Sequence, residues 1–213
     1  MDIGVIGSGM VGRALTGKLV ELGHDVVVGT RDPGKLDEWL GQVGGAARVA
    51  SNAEAAGHGE IVVNSTAGVG ALDALTLAGE ENLEGKVLMD VSNPLDFSGE
   101  GLPTLFVEDT DSLGERIQRS FPNARVVKTL NTINASVMVN PNLVGDGDHT
   151  VFVSGNDADA KARVTELLRS FGWRDVIDLG DISTARGTEM AIQLWLRLMM
   201  ALGNFNFNFK IVR

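Results

Sequence analysis

Short apolar runs recur along the chain, and most are followed by a stretch in which apolar residues return at helical spacing. The runs Asp2–Ile6, Asp25–Val28, Ile61–Val63, Val87–Val91, Arg125–Lys128, Thr150–Val153 and Val176–Leu179 read as strands. The spacing predicts helices over Val11–Leu22, Lys35–Val43, Asn52–Ala56, Gly70–Leu77, Asp111–Ser120, Asp157–Ser170 and Ser183–Leu202, with capping residues between Asp109 and Ser112. Strands alternating with helices of this kind imply βαβ units and a parallel sheet. Ile61-Val62-Val63 and Val87-Leu88-Met89 are apolar throughout, as expected of strands covered on both faces. Asn204–Phe209 alternates Asn and Phe with period 2. That suits a short strand over the molecule's own core, or a strip pairing with a second subunit.

Composition narrows the chemistry. Among 213 residues there is no cysteine and no tyrosine. Thiolate nucleophiles, disulfides and Cys-based metal sites are excluded, and so is any mechanism needing a phenolic acid or base. A net charge of −10 argues against a nucleic-acid or anionic-membrane surface. The longest apolar region, Met190–Leu202, is interrupted by Gln193 and Arg197 and is shorter than the ~20 residues a membrane span needs. No basic, apolar leader precedes the first glycines, so a soluble, cytoplasmic protein is expected. His24, His58 and His149 have no ligand spacing, and no metal site is expected from them. Glu80–Glu84 reads as a solvated acidic turn.

Gly7-Ser8-Gly9-Met10-Val11-Gly12 follows the first strand, opens the first helix and leads to a second strand. This is the context a dinucleotide fingerprint requires. Gly7 permits the tight turn, Gly9 lets backbone approach a pyrophosphate, and Gly12 lets helix pack on strand. The pyrophosphate then rests on the N–H groups and positive dipole end of the helix. The second strand ends in Thr30-Arg31, with no carboxylate where an NAD enzyme bonds the ribose 2′-OH. A hydroxyl and a guanidinium suit a 2′-phosphate, and Lys35 is near enough in sequence to close the same pocket. Charge-assisted bonds are worth about 1.5–3 kcal/mol each, so two favour NADP over NAD by roughly a hundredfold. The expected fold is α/β: one Rossmann-like, doubly wound, mostly parallel sheet. Residues 1–145 form its dinucleotide-binding core, and 146–213 form a small C-terminal α/β extension ending in a long helix. Three later loops, Asn64-Ser65-Thr66-Ala67-Gly68, Asp90-Val91-Ser92-Asn93-Pro94-Leu95 and Lys128–Ala135, carry small polar residues at the carboxyl end of the sheet, where ligands bind.

Gly7-x-Gly9-x-x-Gly12, Val27-Val28-Gly29-Thr30-Arg31, Asp90-Val91-Ser92-Asn93-Pro94 and Val126-Val127-Lys128-Thr129-Leu130-Asn131 together resemble the F420-dependent NADP oxidoreductases. They equally resemble the cytosolic NADPH domain of the six-transmembrane ferric reductases, the STEAP family. The resemblance covers nearly the whole chain and implies hydride transfer between NADP(H) and a flavin-like ring. It implies that Ser8, Gly9, Met10 and Val11 hold the pyrophosphate and that Thr30, Arg31 and Lys35 hold the 2′-phosphate. Gly68, Leu72, Leu95 and Ala135 would line the nicotinamide half, with Asn93 and Pro94 beside them. Asn131, Ile133 and Ala135 would face both rings and serve as the catalytic set. Archaeal F420 enzymes carry His and Pro where this chain has Asn131 and Asn134, so the second ring is the open question.

Direct hydride transfer needs no side-chain nucleophile. The protein has to hold two carbons about 3–3.5 Å apart, with the rings stacked. Coenzyme F420 is the expected co-substrate, with FMN or FAD as the alternative in a flavin or ferric reductase. A non-catalytic NADP(H)-binding redox sensor is a further alternative. Arg186 and Lys128 are candidates for the basic patch that F420's anionic tail needs. A homodimer is expected from the apolar last helix and the Phe-bearing tail.

Overall fold

The computed structural model describes residues 1–43 and 47–213; the side chains of Pro33, Lys35, Asp37 and Gln42 lie outside the described set. The chain begins with strand β1 (Asp2–Ile6), the glycine turn, helix α1 (Met10–Glu21) and strand β2 (Asp25–Gly29). A 3-10 turn at Pro33–Leu36 precedes α2 (Asp37–Val43), so the helix starts two residues later than the periodicity suggests. Then come β3 (Ala47–Ala50), α3 (Asn52–His58), β4 (Ile61–Asn64), α4 (Ala71–Ala78), α5 (Glu80–Leu83) and β5 (Val87–Asp90). A small hairpin of β6 (Leu95–Asp96) and β7 (Thr104–Leu105) leads to α6 (Leu113–Ser120), β8 (Arg125–Thr129) and α7 (Ala135–Val139). The extension is β9 (Thr150–Ser154), α8 (Ala158–Ser170), β10 (Asp175–Asp178) and α9 (Ala185–Leu202).

The main sheet has the order β10-β9-β8-β5-β4-β1-β2-β3. Six strands run parallel, and β9 and β10 run parallel to one another but antiparallel to β8. The fold is therefore the Rossmann-like α/β architecture with a two-strand extension. Alternate side chains of each strand enter opposite layers. Ile3, Val5, Val26, Val28, Ile61, Val63, Val87 and Met89 join the layer with α1, α7 and α8. Ile6, Val27, Val62, Leu88 and Val126 join the layer with α3, α4 and α6. Burial on both faces explains the unbroken apolar runs.

Four elements differ from the sequence expectation. Glu80–Leu83 is one helical turn whose Leu83 is buried, because Leu83 anchors an otherwise acidic stretch. β3 and α7 are too short for a periodic signal, and each is defined by its neighbours. The Asn/Phe tail forms no strand ladder. It folds back over α9, stacking Phe207 on Trp195 with ring centres 5.1 Å apart. The Phe209 carbonyl accepts a bond from the Thr150 N–H at 2.9 Å. The tail therefore covers its own core as single bonds and ring contacts.

Candidate functional site

The chain runs outward from β1 to β2 and β3, then returns to β4 on the other side of β1. That reversal is the switch point where open α/β sheets bind ligands. A cleft of about 510 Å³ lies there. Its floor is Gly7, Ser8 and Gly9. One wall is Gly29, Thr30, Arg31 and Asp32, and the other is Ser65, Thr66 and Ala67 with the first turns of α4.

The glycines fit a dinucleotide. Gly7 has φ +111°, a conformation costly for any residue with a Cβ. A Cβ at Gly12 would lie 2.0 Å from the Gly7 carbonyl oxygen, so α1 sits directly on the turn. Among the described residues, a Cβ at Gly9 would meet no atom within 4 Å. It would project into space that protein does not need and a pyrophosphate does. Gly9 also caps α1, and α1 has no acidic residue in its first turn to oppose an anion.

Thr30 and Arg31 stand where the sequence places them. Thr30 Oγ1 lies 3.2 Å from Ser8 Oγ, tying the end of β2 to the glycine turn, and Arg31 is exposed on the cleft wall. Arg13 was not anticipated. Its Nε donates to the Ser8 carbonyl at 3.0 Å, and its guanidinium carbon sits 5.8 Å from the centre of the Trp39 ring. The available signal was a basic residue one position past the last glycine, on the helix that opens the cleft. Asn52 and Asp73 also line the cleft and carried no sequence signal.

Most of the remaining predicted residues fall on three adjacent loops, with Met10 and Val11 on α1, Leu72 on α4 and Ala135 opening α7. Ser65 Oγ donates to the backbone carbonyls of Ile6 and Gly7, and Thr66 Oγ1 to Asn64 Oδ1 at 2.7 Å, so both hydroxyls brace the loop. A Cβ at Gly68 would lie 1.9 Å from the Asn93 carbonyl oxygen, which brings the loop after β4 against the loop after β5. Asn93 Nδ2 donates to the Asn131 carbonyl at 2.7 Å, and Asn131 Nδ2 returns a bond to Asn93 Oδ1 at 3.0 Å. Asn131 Nδ2 also donates to the Thr188 carbonyl of α9 at 3.0 Å. Ile133 and Ala135 are buried, Ile133 in the core cluster beside α7. Leu72 is half-buried on α4, and Leu95 packs toward α9. Met10 and Ala67 are exposed, while Val11 is half-buried and Pro94 buried.

The two cations proposed for an anionic tail are committed elsewhere. Lys128 is fully buried, bonding Asp90 Oδ2 and Glu189 Oε1 at 2.8 Å each. Burial alone would lower its pKa, but the two carboxylates outweigh burial and its pKa is raised. Arg186 makes a two-pronged pair with Glu115 at 2.8 and 2.5 Å. At the opposite end of the sheet, Asp2, Asp25 and His58 converge despite their spacing in sequence. Arg48 Nη2 sits 3.1 Å from His58 Nδ1 and 3.9 Å from Asp25 Oδ2, so the group is already held by a cation.

Parallel sheet, glycine turn, helix N-terminus and cleft define a domain of the Rossmann-like class with a cleft that fits a dinucleotide. Residues 2–94 match the family described as NADP oxidoreductase coenzyme F420-dependent. A crystal structure from Arthrobacter sp. FB24, provisionally named an F420-dependent NADP-reductase, is 56% identical with TM-score 0.97 and covers 100% of both chains. The chain belongs to the F420-dependent NADP oxidoreductase family, and so to the NADP-dependent oxidoreductases. The F420-dependent NADP reductase of Methanothermobacter marburgensis is 29% identical over 93% of this chain and 92% of its own length. Metalloreductase STEAP3 of Rattus norvegicus is 31% identical over 88% of this chain, and the match spans 35% of that protein's length.

Proposed function

We propose that this chain transfers a hydride between NADP(H) and coenzyme F420, with the deazaflavin ring stacked on the nicotinamide. The observation that carries the cofactor half is the conjunction at one cleft of the open space at Gly9, the N-terminus of α1, which no side chain caps, and the Thr30–Arg31 wall. Backbone N–H groups at Ser8–Val11 hold the pyrophosphate, and Thr30 and Arg31 bind the 2′-phosphate. The nicotinamide half lies along Gly68, Leu72, Leu95 and Ala135. NADPH, when bound, would supply the hydride, a transfer that asks no nucleophile of the chain. The chain's own work is then to orient and to exclude water, which small and apolar residues at 68, 72, 95 and 135 do without titrating groups. The F420 half is supported by the printed descriptions of the Arthrobacter and Methanothermobacter relatives.

The test is an anaerobic absorbance assay with NADPH and, separately, F420, FMN and FAD. Loss of the F420 band with little flavin turnover is the expected result. Turnover of FMN or FAD alone would make the chain a flavin or ferric reductase. Tight NADPH binding with no acceptor turned over would leave a redox sensor.

A further inference from the structure

Strands β4, β5 and β8 lie side by side, and each carries a polar residue at its carboxyl end: Asn64 opposite Asp90, and Asp90 opposite Lys128. The three are bonded across the sheet. Asn64 Nδ2 donates to Asp90 Oδ1 at 2.8 Å, and Lys128 Nζ donates to Asp90 Oδ2 at 2.8 Å. Lys128 Nζ also donates to the Ser92 carbonyl at 2.7 Å, and Ser92 Oγ donates back to Asp90 Oδ1 at 2.7 Å. From the other side Glu189 of α9 reaches Lys128 while accepting the N–H groups of Leu113 and Gly114, at 2.7 and 2.9 Å, at the start of α6. Asp90, Lys128 and Glu189 are all at most 2% exposed.

The loops of the nicotinamide half depart from this row. Between Lys128 and Asn131 the chain passes through Leu130 at φ +60°, a left-handed conformation rare for a residue with a side chain. Such strain persists only where the surroundings over-determine it. Here the surroundings are the Lys128 bonds on one side and the Asn131 bonds to Asn93 and Thr188 on the other. A buried ammonium with three oxygen partners, two on the segment 90–92 and one on α9, fixes those two segments and its own strand in one mutual arrangement.

We propose that Lys128 is a positioning residue of the hydride-transfer end. It locks loops 91–95 and 130–135 and helix α9 together, so that the nicotinamide is held in a single pose. This rests on the proposed function only in taking those loops to line the nicotinamide.

The experiment compares the wild-type chain with Lys128→Met and with the charge-balanced pair Asp90→Asn/Lys128→Met. The pair removes both partners and leaves Glu189 on the α6 N–H groups. Circular dichroism and thermal unfolding check folding, and the pair supplies the answer if the single variant does not fold. The quantities read are the Kd values of 2′-phospho-ADP-ribose and NADPH, the fluorescence lifetime of bound NADPH, and kcat and KM with F420. The expected result is a 2′-phospho-ADP-ribose Kd within about threefold of wild type, a lifetime moved toward that of free NADPH, and kcat down about a hundredfold. A folded variant with wild-type lifetime and kcat would overturn the proposal. So would equal weakening of NADPH and 2′-phospho-ADP-ribose, which marks general structural damage. If the wild-type chain reduces no ring, the proposed function fails, and the lifetime still decides the role of Lys128.

Discussion

Two guanidinium groups, Arg31 and Arg13, line the same end of the cleft and do different work. Arg31 is exposed on the wall beside Thr30, where the proposed function puts the 2′-phosphate. Arg13 is spent on the Ser8 carbonyl and the Trp39 face, and so shapes the glycine turn. Arg31→Ala is expected to lower NADPH affinity at least about tenfold while leaving NADH nearly unchanged. Arg13→Ala is expected to weaken both cofactors alike. Titration of both variants with both cofactors checks the pair, and equal losses for Arg31→Ala would remove the 2′-phosphate assignment. Arg31 was legible in sequence because it ends a strand at a known distance from the glycines. The work of Arg13 was not, because its partners come from the turn before it and a helix after it. Lys35, named for the same pocket, lies outside the described side chains.

Helix α6 shows how much of an element's stability sits at its first turn. The spacing placed the helix at Asp111–Ser120, and the helix begins at Leu113 with Ser112 as its cap. Arg119, then Arg116, hold the Asp111 carboxyl far below its usual range. The Arg186 guanidinium lowers Glu115 most, burial opposes it less strongly, and the Ser112 hydroxyl adds to the lowering. A carboxylate whose pKa is depressed in the folded state adds stability above its unfolded value and loses it as pH falls. The unfolded values are 3.8 and 4.5, so the contribution is complete at neutral pH and fades below about 4.5. Urea midpoints measured from pH 6 down to pH 3 are expected to fall, and to fall less steeply in Asp111→Asn. An unchanged slope in that variant would mean other carboxylates control the acid limb.

In the molecule as a whole, α9 is the piece that joins extension to core. Its inward stripe is Ala185, Thr188, Glu189, Ile192, Trp195 and Leu196, a helical repeat with two polar residues embedded in it. Those two bind the strand-end row and the Asn131 loop, while the lower part packs on the β6–β7 hairpin and the tail. Its outward side leaves Met190 and Leu194 41% and 53% exposed, with Phe205 of the tail at 54%. A homodimer burying this side is the expected state in solution. Static light scattering checks it, and a monomer mass at micromolar concentration would end it. No helix among the described residues is long and apolar enough to cross a membrane.

Local pattern was enough to read the parallel α/β sheet, the glycine turn and the Thr30–Arg31 strand end, because each depends on residues within one βαβ unit. Periodicity of 2 and 3.6 survives in sequence when a strand is covered on both faces or a helix on one. It was too weak for β3, for the hairpin and for α7, which are short and defined by what they touch. It also misjudged Lys128, which in sequence is a cation free to meet a ligand. Glu189 lies 61 positions further on and its α6 partners 75 and 76 positions before it. Only the packing of α9 across the sheet ends brings these groups together. A buried charge is stable only with such partners, and distant partners leave no trace in local spacing.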